Sequence, residues 1–340
     1  MNSLITGASG FIGAHLVKAL VRQGHQVKVL VRPTSDISLL EKLGVEMVQG
    51  NLGQDNVLRK AVAGAECVYH LAAGTSKHRL SKADYYTRNR EATKNLGVAA
   101  LEAGVKRFVY ASSVGVYGMN TNRAIDENTP PCPDSYYRET KLAGEKELLR
   151  LQRDGGLPVV IVRLGHVYGP GSRVWLGLYR KIQKRDLRII GSGKNHDHFI
   201  YIDDVVEGLL KCGRREGIEG KIYILTAPQP STLNEMVAAI ASALGVDSSF
   251  GHLPAFPFRA YRRFTQFVYR TFGVQLPRAG YYDMFLIDHI YTSTNTRDDL
   301  DFVPRVGLAE GVRRQIEWYR DEGEIEPRLD FLPPKESDGH

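Results

Sequence analysis

Tyr137 stands four residues before Lys141 in the run Tyr137-Arg138-Glu139-Thr140-Lys141. On a helix, that spacing puts a phenol and an ammonium on one face. A cation beside a phenol favours the phenolate and draws its pKa down from about 10 towards working pH. Such a pair is an acid/base suited to interconverting an alcohol and a ketone. Asp134 or Ser135 can cap the helix that carries it. Upstream, Val109-Tyr110-Ala111-Ser112-Ser113 reads as a buried strand that brings two hydroxyls to its carboxyl end, where ligands bind in open α/β sheets. A serine there can hold the substrate oxygen while the tyrosine moves the proton.

These groups need a second reactant, and the start of the chain provides a place for one. Asn2 to Thr6 form a short apolar run, followed by Gly7-Ala8-Ser9-Gly10-Phe11-Ile12-Gly13 and the helix-like Ala14 to Val21. A strand, a tight glycine turn and a helix N-terminus in that order make a pyrophosphate site. Glycines let backbone N–H groups approach the ligand, and the helix's unpaired N–H groups favour its negative charge. The expected cofactor contacts here are Gly7, Ser9, Gly10, Phe11, Ile12 and Gly13.

The rest of the chain must hold the turn and the Tyr/Lys pair together. Strand-like Gln26 to Val31, Val45 to Gln49, Glu66 to Leu71, Arg107 to Ala111 and Pro158 to Arg163 alternate with helix-like Ala83 to Ala103 and Asp134 to Asp154. This alternation predicts an α/β fold: a Rossmann-type, doubly wound parallel sheet over residues 1–165, with some sheet elements returning from about 195–225. Beyond about residue 165 the alternation loosens. Residues 166–325 are expected to form mainly a smaller C-terminal substrate-binding lobe that includes the helix-like Leu308 to Asp321, and 326–340 a disordered tail.

Composition sets the outer bounds. The chain has 340 residues, is 43% apolar and 24% charged, and carries a net charge of +7. Those values suit a soluble globular protein. Cys67, Cys132 and Cys212 show neither metal-ligand nor paired spacing, so no metal site or disulfide framework is expected. No apolar run reaches the roughly 18 residues needed to span a membrane, and a glycine turn at residue 7 leaves no room for a signal peptide, so a cytoplasmic location is expected. The basic balance suits anionic ligands or surfaces, yet no nucleic-acid motif accompanies it.

The motifs together resemble the extended short-chain dehydrogenase/reductases, the family of NAD-dependent epimerases and dehydratases. The matching pieces are Gly7, Gly10 and Gly13; His70-Leu71-Ala72-Ala73; Asn89 with Asn95-Leu96; and Ser112-Ser113 through Val116-Tyr117-Gly118. Tyr137 with Lys141, Arg163 to Gly171, and Phe199 to Val205 complete the set. The resemblance covers most of residues 1–210. It implies Tyr137 as acid/base, Lys141 as the group that binds nicotinamide ribose and lowers the Tyr137 pKa, Ser113 as the orienter of the substrate oxygen, and Asn89 as support. It also implies cofactor contacts from Leu71, Ala72 and Ala73, and from Asn51 and Leu52 after the third strand. Asn51 replaces the family's usual adenine-contacting aspartate.

Where NAD-specific relatives carry an acidic residue after the second strand, this chain has Val31 followed by Arg32. A guanidinium suits a 2′-phosphate better than a hydroxyl, so NADP is favoured over NAD. Alternatively, Arg32 lies along the adenine and Asp36 folds back onto the ribose. Nucleotide-sugar 4,6-dehydratases place an acid pair before the Val-Tyr-Gly segment, and here Val114 and Gly115 stand there. Elimination therefore lacks its general acid, which leaves epimerisation or net oxidation or reduction. The substrate ranked first is a sugar or nucleotide sugar, with Ser112, His166, Arg173 and Asp197 as candidate contacts. Asp197 occupies the position where nucleotide-sugar enzymes usually carry a diphosphate-gripping arginine, and His166 reads either as a contact or as a structural histidine. The alternatives are an NADP-dependent reductase of ketones, aldehydes or sterol-like substrates and, from another class, a non-catalytic dinucleotide-sensing regulator.

Residues 256–272 interleave phenylalanines and tyrosines with arginines. At helical spacing, they form a lobe helix packed on the core with solvated arginines, a peripheral contact with an anionic membrane, or an entry for a greasy substrate. By resemblance, Ala83 to Ala103 and Tyr136 to Leu151 would pair two copies into a homodimer through a four-helix interface.

Overall fold

Seven parallel strands form the central sheet, in the spatial order Ile222–Leu225, Val159–Leu164, Arg107–Ser113, Cys67–His70, Asn2–Thr6, Gln26–Val31, Glu46–Gln49. The computed structural model describes residues 1–75, 80–118, 124–277 and 282–326. The order reverses between Asn2–Thr6 and Cys67–His70, and this switch point is where doubly wound sheets bind dinucleotides.

Alternation along each strand explains why the segments read as continuous apolar runs. Ile5, Val29, Tyr69, Val109, Val160 and Val162 point to one face and enter one core cluster. That cluster is shared with Leu16, Val17 and Leu20 of the Phe11–Arg22 helix and Val205 and Leu209 of the Ile202–Arg214 helix. Their neighbours Leu4, Leu30, Val68, Phe108, Val159 and Ile161 point to the other face. They pack there on Leu58, Leu96, Leu148 and Leu151 from the Asp55–Val62, Ala92–Glu102 and Tyr136–Gly155 helices. Each sheet face thus buries its apolar side chains under helices, which removes the strands from water on both sides.

Two details differ from the sequence reading. The stretch expected as one helix over 83–103 is three segments: Lys82–Tyr85, a π-helical turn at Tyr86–Glu91, and Ala92–Glu102. The wide turn surrounds the buried Asn89, and such turns concentrate at functional sites. The strand read as Arg107 to Ala111 runs on through Ser113, which keeps both serines at the sheet's carboxyl end as expected.

After Leu164 the chain makes three short strand pairs: His166–Tyr168 with Phe199–Tyr201, His196–Asp197 with Ser231–Thr232, and Arg188–Ile190 with Gly251–Leu253. Further helices at Leu176–Gln183, Leu233–Leu244, Phe256–Phe272 and Leu308–Asp321 surround them. Among the described residues, no helix is long and apolar enough to cross a membrane. The expected disordered tail lies, from residue 327 on, outside the described residues.

Candidate active site

The glycine turn is built for close approach. Gly7 has φ +76, and a Cβ on it would lie 2.7 Å from the Ala72 nitrogen; a Cβ on Gly13 would lie 2.2 Å from the Gly7 carbonyl oxygen. Gly10 donates its N–H to that same carbonyl at 3.0 Å and starts the Phe11–Arg22 helix without any side-chain cap. Ser9 and Gly10 are exposed, so the helix's first N–H groups face an open surface beside Leu71, Ala72 and Ala73. An uncapped helix start next to a turn that tolerates only glycine fits a pyrophosphate. The His15 ring meets the Pro170 carbonyl at 2.8 Å, which ties the turn after the His166–Tyr168 strand to the Phe11–Arg22 helix.

Beneath the turn, Thr6 and His70 join the first and fourth strands at 2.7 Å, and His70 reaches Thr93 at 2.9 Å. Full burial and the nearby Lys141 push the His70 pKa down to about 3, so the ring is neutral and acts as a strut. Arg32 is exposed at the end of the second strand. One oxygen of the exposed Asp36 carboxylate accepts the Ser38 N–H at 3.1 Å and hydroxyl at 2.8 Å. Asn51 is exposed and Leu52 half-buried after the third strand.

Ser135 caps the Tyr136–Gly155 helix by accepting the Arg138 N–H, while Asp134 instead pairs with the Arg138 guanidinium at 2.6 Å. The helix brings Tyr137 into the neighbourhood of Ser113, whose hydroxyl draws the phenol's pKa down. Ser113 also accepts the Gly115 N–H at 3.0 Å. Asn89 closes the back of the site: it accepts the Gly74 N–H at 2.6 Å and donates to the Gly74 carbonyl and to Thr140.

Lys141 behaves differently from the sequence expectation. Its ammonium is buried, donates to the Ala111 carbonyl at 2.5 Å and sits 4.1 Å above the Tyr110 ring. Desolvation, partly offset by Glu145, pushes its pKa down to about 7. Tyr137 is pushed up to about 12, chiefly by desolvation and then by Tyr85, against weaker pulls from Arg138 and Ser113. Lys141 is not among the groups that shift the Tyr137 phenol, so the lowering that the resemblance implies is not seen in this geometry. The lysine has the right spacing, but its charge is spent on a carbonyl and a ring face.

Ser112 faces inward. Its hydroxyl donates to Glu145, which also takes two bonds from Arg163 at 3.1 and 2.7 Å, and Arg163 in turn donates to Tyr117 at 2.7 Å. All of these groups are buried, so the network is a wall of the site, and Ser112 does not reach its mouth.

The structure brings together groups that are far apart in sequence. Arg138 lies along Gly115, where a Cβ would meet its Cγ at 3.1 Å and its Nε at 3.3 Å. Asp283 pairs with Arg138 and with Arg262, each at 3.0 Å. Asp197 is buried, with His166 at 2.8 Å and His289 at 3.5 Å from one carboxylate oxygen. Burial alone would raise the Asp197 carboxyl, but the two imidazoles outweigh it and hold the group well below the usual range. Burial pulls His166 down, yet Asp197 more than compensates, so its pKa is raised. Arg173 stands apart, largely exposed and paired with Glu324 at 3.0 Å.

Arg138, Asp283, Arg262 and His289 were not legible as site residues, because nothing local links 138 to 262, 283 or 289. Glu145 was within reach of pattern reading, since Tyr137, Lys141 and Glu145 repeat every four residues along one helix face.

This geometry has counterparts. Residues 3–225 match the model of the NAD dependent epimerase/dehydratase family. A dTDP-glucose 4,6-dehydratase of Streptomyces niveus is 27% identical over 94% of this chain and 93% of its own, and sterol demethylase protein B of Methylococcus capsulatus is 28% identical over 96% and 100%. The solved structure of MoeE5 in complex with UDP-glucose and NAD superposes with a TM-score of 0.75 at 28% identity, covering 95% of this chain and 99% of that one. With the glycine turn, the seven-stranded sheet and the tyrosine–lysine helix all in place, the chain belongs to the NAD dependent epimerase/dehydratase family, enzymes of the extended short-chain dehydrogenase/reductase class.

Proposed function

We propose that this enzyme transfers hydride at a single hydroxyl- or carbonyl-bearing carbon, by epimerisation or by net oxidation or reduction, without eliminating water. The Arg138 side chain over Gly115 carries this reading. Where elimination needs a carboxylic acid, a guanidinium covers a residue that has no side chain.

Bound in the glycine turn, a nicotinamide dinucleotide would supply or accept the hydride. Gly7, Gly10, Gly13 and the uncapped helix start would hold its pyrophosphate, and Lys141 its ribose. Ser113 positions the substrate oxygen, and Tyr137 exchanges the proton with it. Burial pushes the Tyr137 phenol up to about 12, so it is protonated at neutral pH and can donate a proton to a carbonyl oxygen. To act as a base, Tyr137 needs the Lys141 ammonium to leave the Ala111 carbonyl and turn towards it. The exposed Arg32 supports NADP over NAD, through charge pairing with a 2′-phosphate.

For the substrate we favour a sugar or nucleotide sugar, supported by the UDP-glucose complex of the 28%-identical MoeE5. A second reading, a lipophilic ketone or alcohol, rests on Asp197. The position expected to grip a diphosphate holds a buried carboxylate closed in by two histidines, and Arg173 is engaged with Glu324.

The test is denaturing release of cofactor from purified protein, identified by mass and absorbance, followed by turnover of UDP-sugars and of β-keto or sterol-like ketones by wild type and Tyr137→Phe. Retained NAD with UDP-sugar epimerisation supports the first reading of the substrate and overturns the preference for NADP. An empty site preferring NADPH, with ketone reduction, supports the second. General acid/base catalysis contributes about 10²–10⁴-fold, so Tyr137→Phe turnover should fall by that much while cofactor affinity stays within a few-fold. Full activity in Tyr137→Phe would remove the phenol from the mechanism.

A further inference from the structure

We propose that the Phe256–Phe272 helix docks this protein on the surface of an anionic lipid bilayer. Its inner face is already committed to the protein. Thr265 is buried, Phe258 packs on Tyr282 with ring centroids 5.1 Å apart, Tyr269 donates to Glu139, and Arg262 pairs with Asp283. At 100° per residue, Phe256, Phe264 and Phe267 project to the opposite side. They are 79%, 57% and 60% exposed, and Phe272 at the helix end is 68% exposed. Pro257 adds to this surface within the first turn, and Leu253, Pro254 and Val274 extend it beyond both ends.

Four phenylalanines in water on one 17-residue helix are unusual for a monomer surface and mark a place that something covers. The charges beside them identify the occupant. Arg259, Arg263 and Arg270 are exposed along one flank of the aromatic face, and the helix contains no aspartate or glutamate. Aromatic rings on the apolar side of a helix with arginines along its edge match the boundary between acyl chains and anionic headgroups. A second copy of the chain is a poorer partner. A two-fold contact would set this face against itself and oppose arginines with arginines. The same helix holds the start of the catalytic helix through Tyr269–Glu139 and the bond from the Tyr136 hydroxyl to the Gly273 carbonyl, so docking would place the site's rim at the membrane surface. This proposal stands on the exposed helix face and does not depend on which substrate is turned over.

The test is co-sedimentation of the full-length protein with phosphatidylcholine vesicles, with and without about a third of phosphatidylglycerol, at low and high salt. Wild type should pellet with the anionic vesicles and release at high salt. Each arginine near such a surface contributes about 1 kcal/mol, so Arg259→Gln with Arg263→Gln should weaken binding about 25-fold. Phe256→Ser with Phe264→Ser and Phe267→Ser should abolish it, with circular dichroism and dinucleotide affinity held as wild type. The proposal is overturned if wild type ignores anionic vesicles, or if the arginine pair variant binds them as tightly as wild type. It is equally overturned if the protein proves to be a dimer that the serine variant separates.

Discussion

Lys141 lets the site be interrogated without any substrate. Its pKa is pushed from 10.5 to about 7 by burial, so the folded protein sheds a proton that the unfolded chain keeps. Over the range from about pH 7 to 8.5 the unfolded state therefore binds more protons, and this lysine makes stability rise with pH. The slope approaches about 1.4 kcal/mol per pH step, and integration over the range gives a gain of about 1.6 kcal/mol. Above that range the contribution becomes harder to isolate. Cys67 and Cys212 are pushed up to about 12 by burial, and their unfolded counterparts ionise first, which works in the opposite direction. His166 has a raised pKa, and the stability from its charge is lost as pH rises through it. The readout is therefore the difference between wild type and Lys141→Met, in which that background cancels. Urea unfolding followed by the fluorescence of Trp175 and Trp318 provides the two stability curves. The wild-type curve should climb relative to the variant by the stated amount. Parallel curves would show that Lys141 stays fully protonated in the folded protein, and the account of its desolvation would fail.

Other outcomes follow from the same geometry. Gly13→Ala puts a methyl 2.2 Å from the Gly7 carbonyl oxygen, so dinucleotide binding by calorimetry should be lost and stability should drop by about 1–3 kcal/mol. Arg163→Leu leaves Glu145 buried beside Ser112 without its cation, at a cost of about 3–5 kcal/mol. Adding Glu145→Leu should return most of that loss in a double-mutant cycle, and a double variant no more stable than Arg163→Leu would contradict the pairing.

The sequence by itself determined the sheet, the turn and the tyrosine helix, because each is specified over short distances. Alternating apolar runs such as Val159 to Leu164 must be buried on both faces, glycines at 7, 10 and 13 permit only a turn of one shape, and Tyr137 and Lys141 share a helix face by spacing alone. Local pattern also pointed to Ser113 at a strand's carboxyl end, whereas Asn89 came only through the family resemblance. It could not say that Ser112 turns inward to Glu145, since two adjacent strand residues point to opposite faces and only packing decides which side is the site. Nor could it say where the Lys141 charge is directed, because burial and the Ala111 carbonyl are supplied by other elements. Tertiary structure alone placed Asp283 on Arg138, 145 residues away, and closed His289 and His166 around Asp197. Electrostatics act through space between groups that share no sequence neighbourhood, so spacing along the chain carries no record of them.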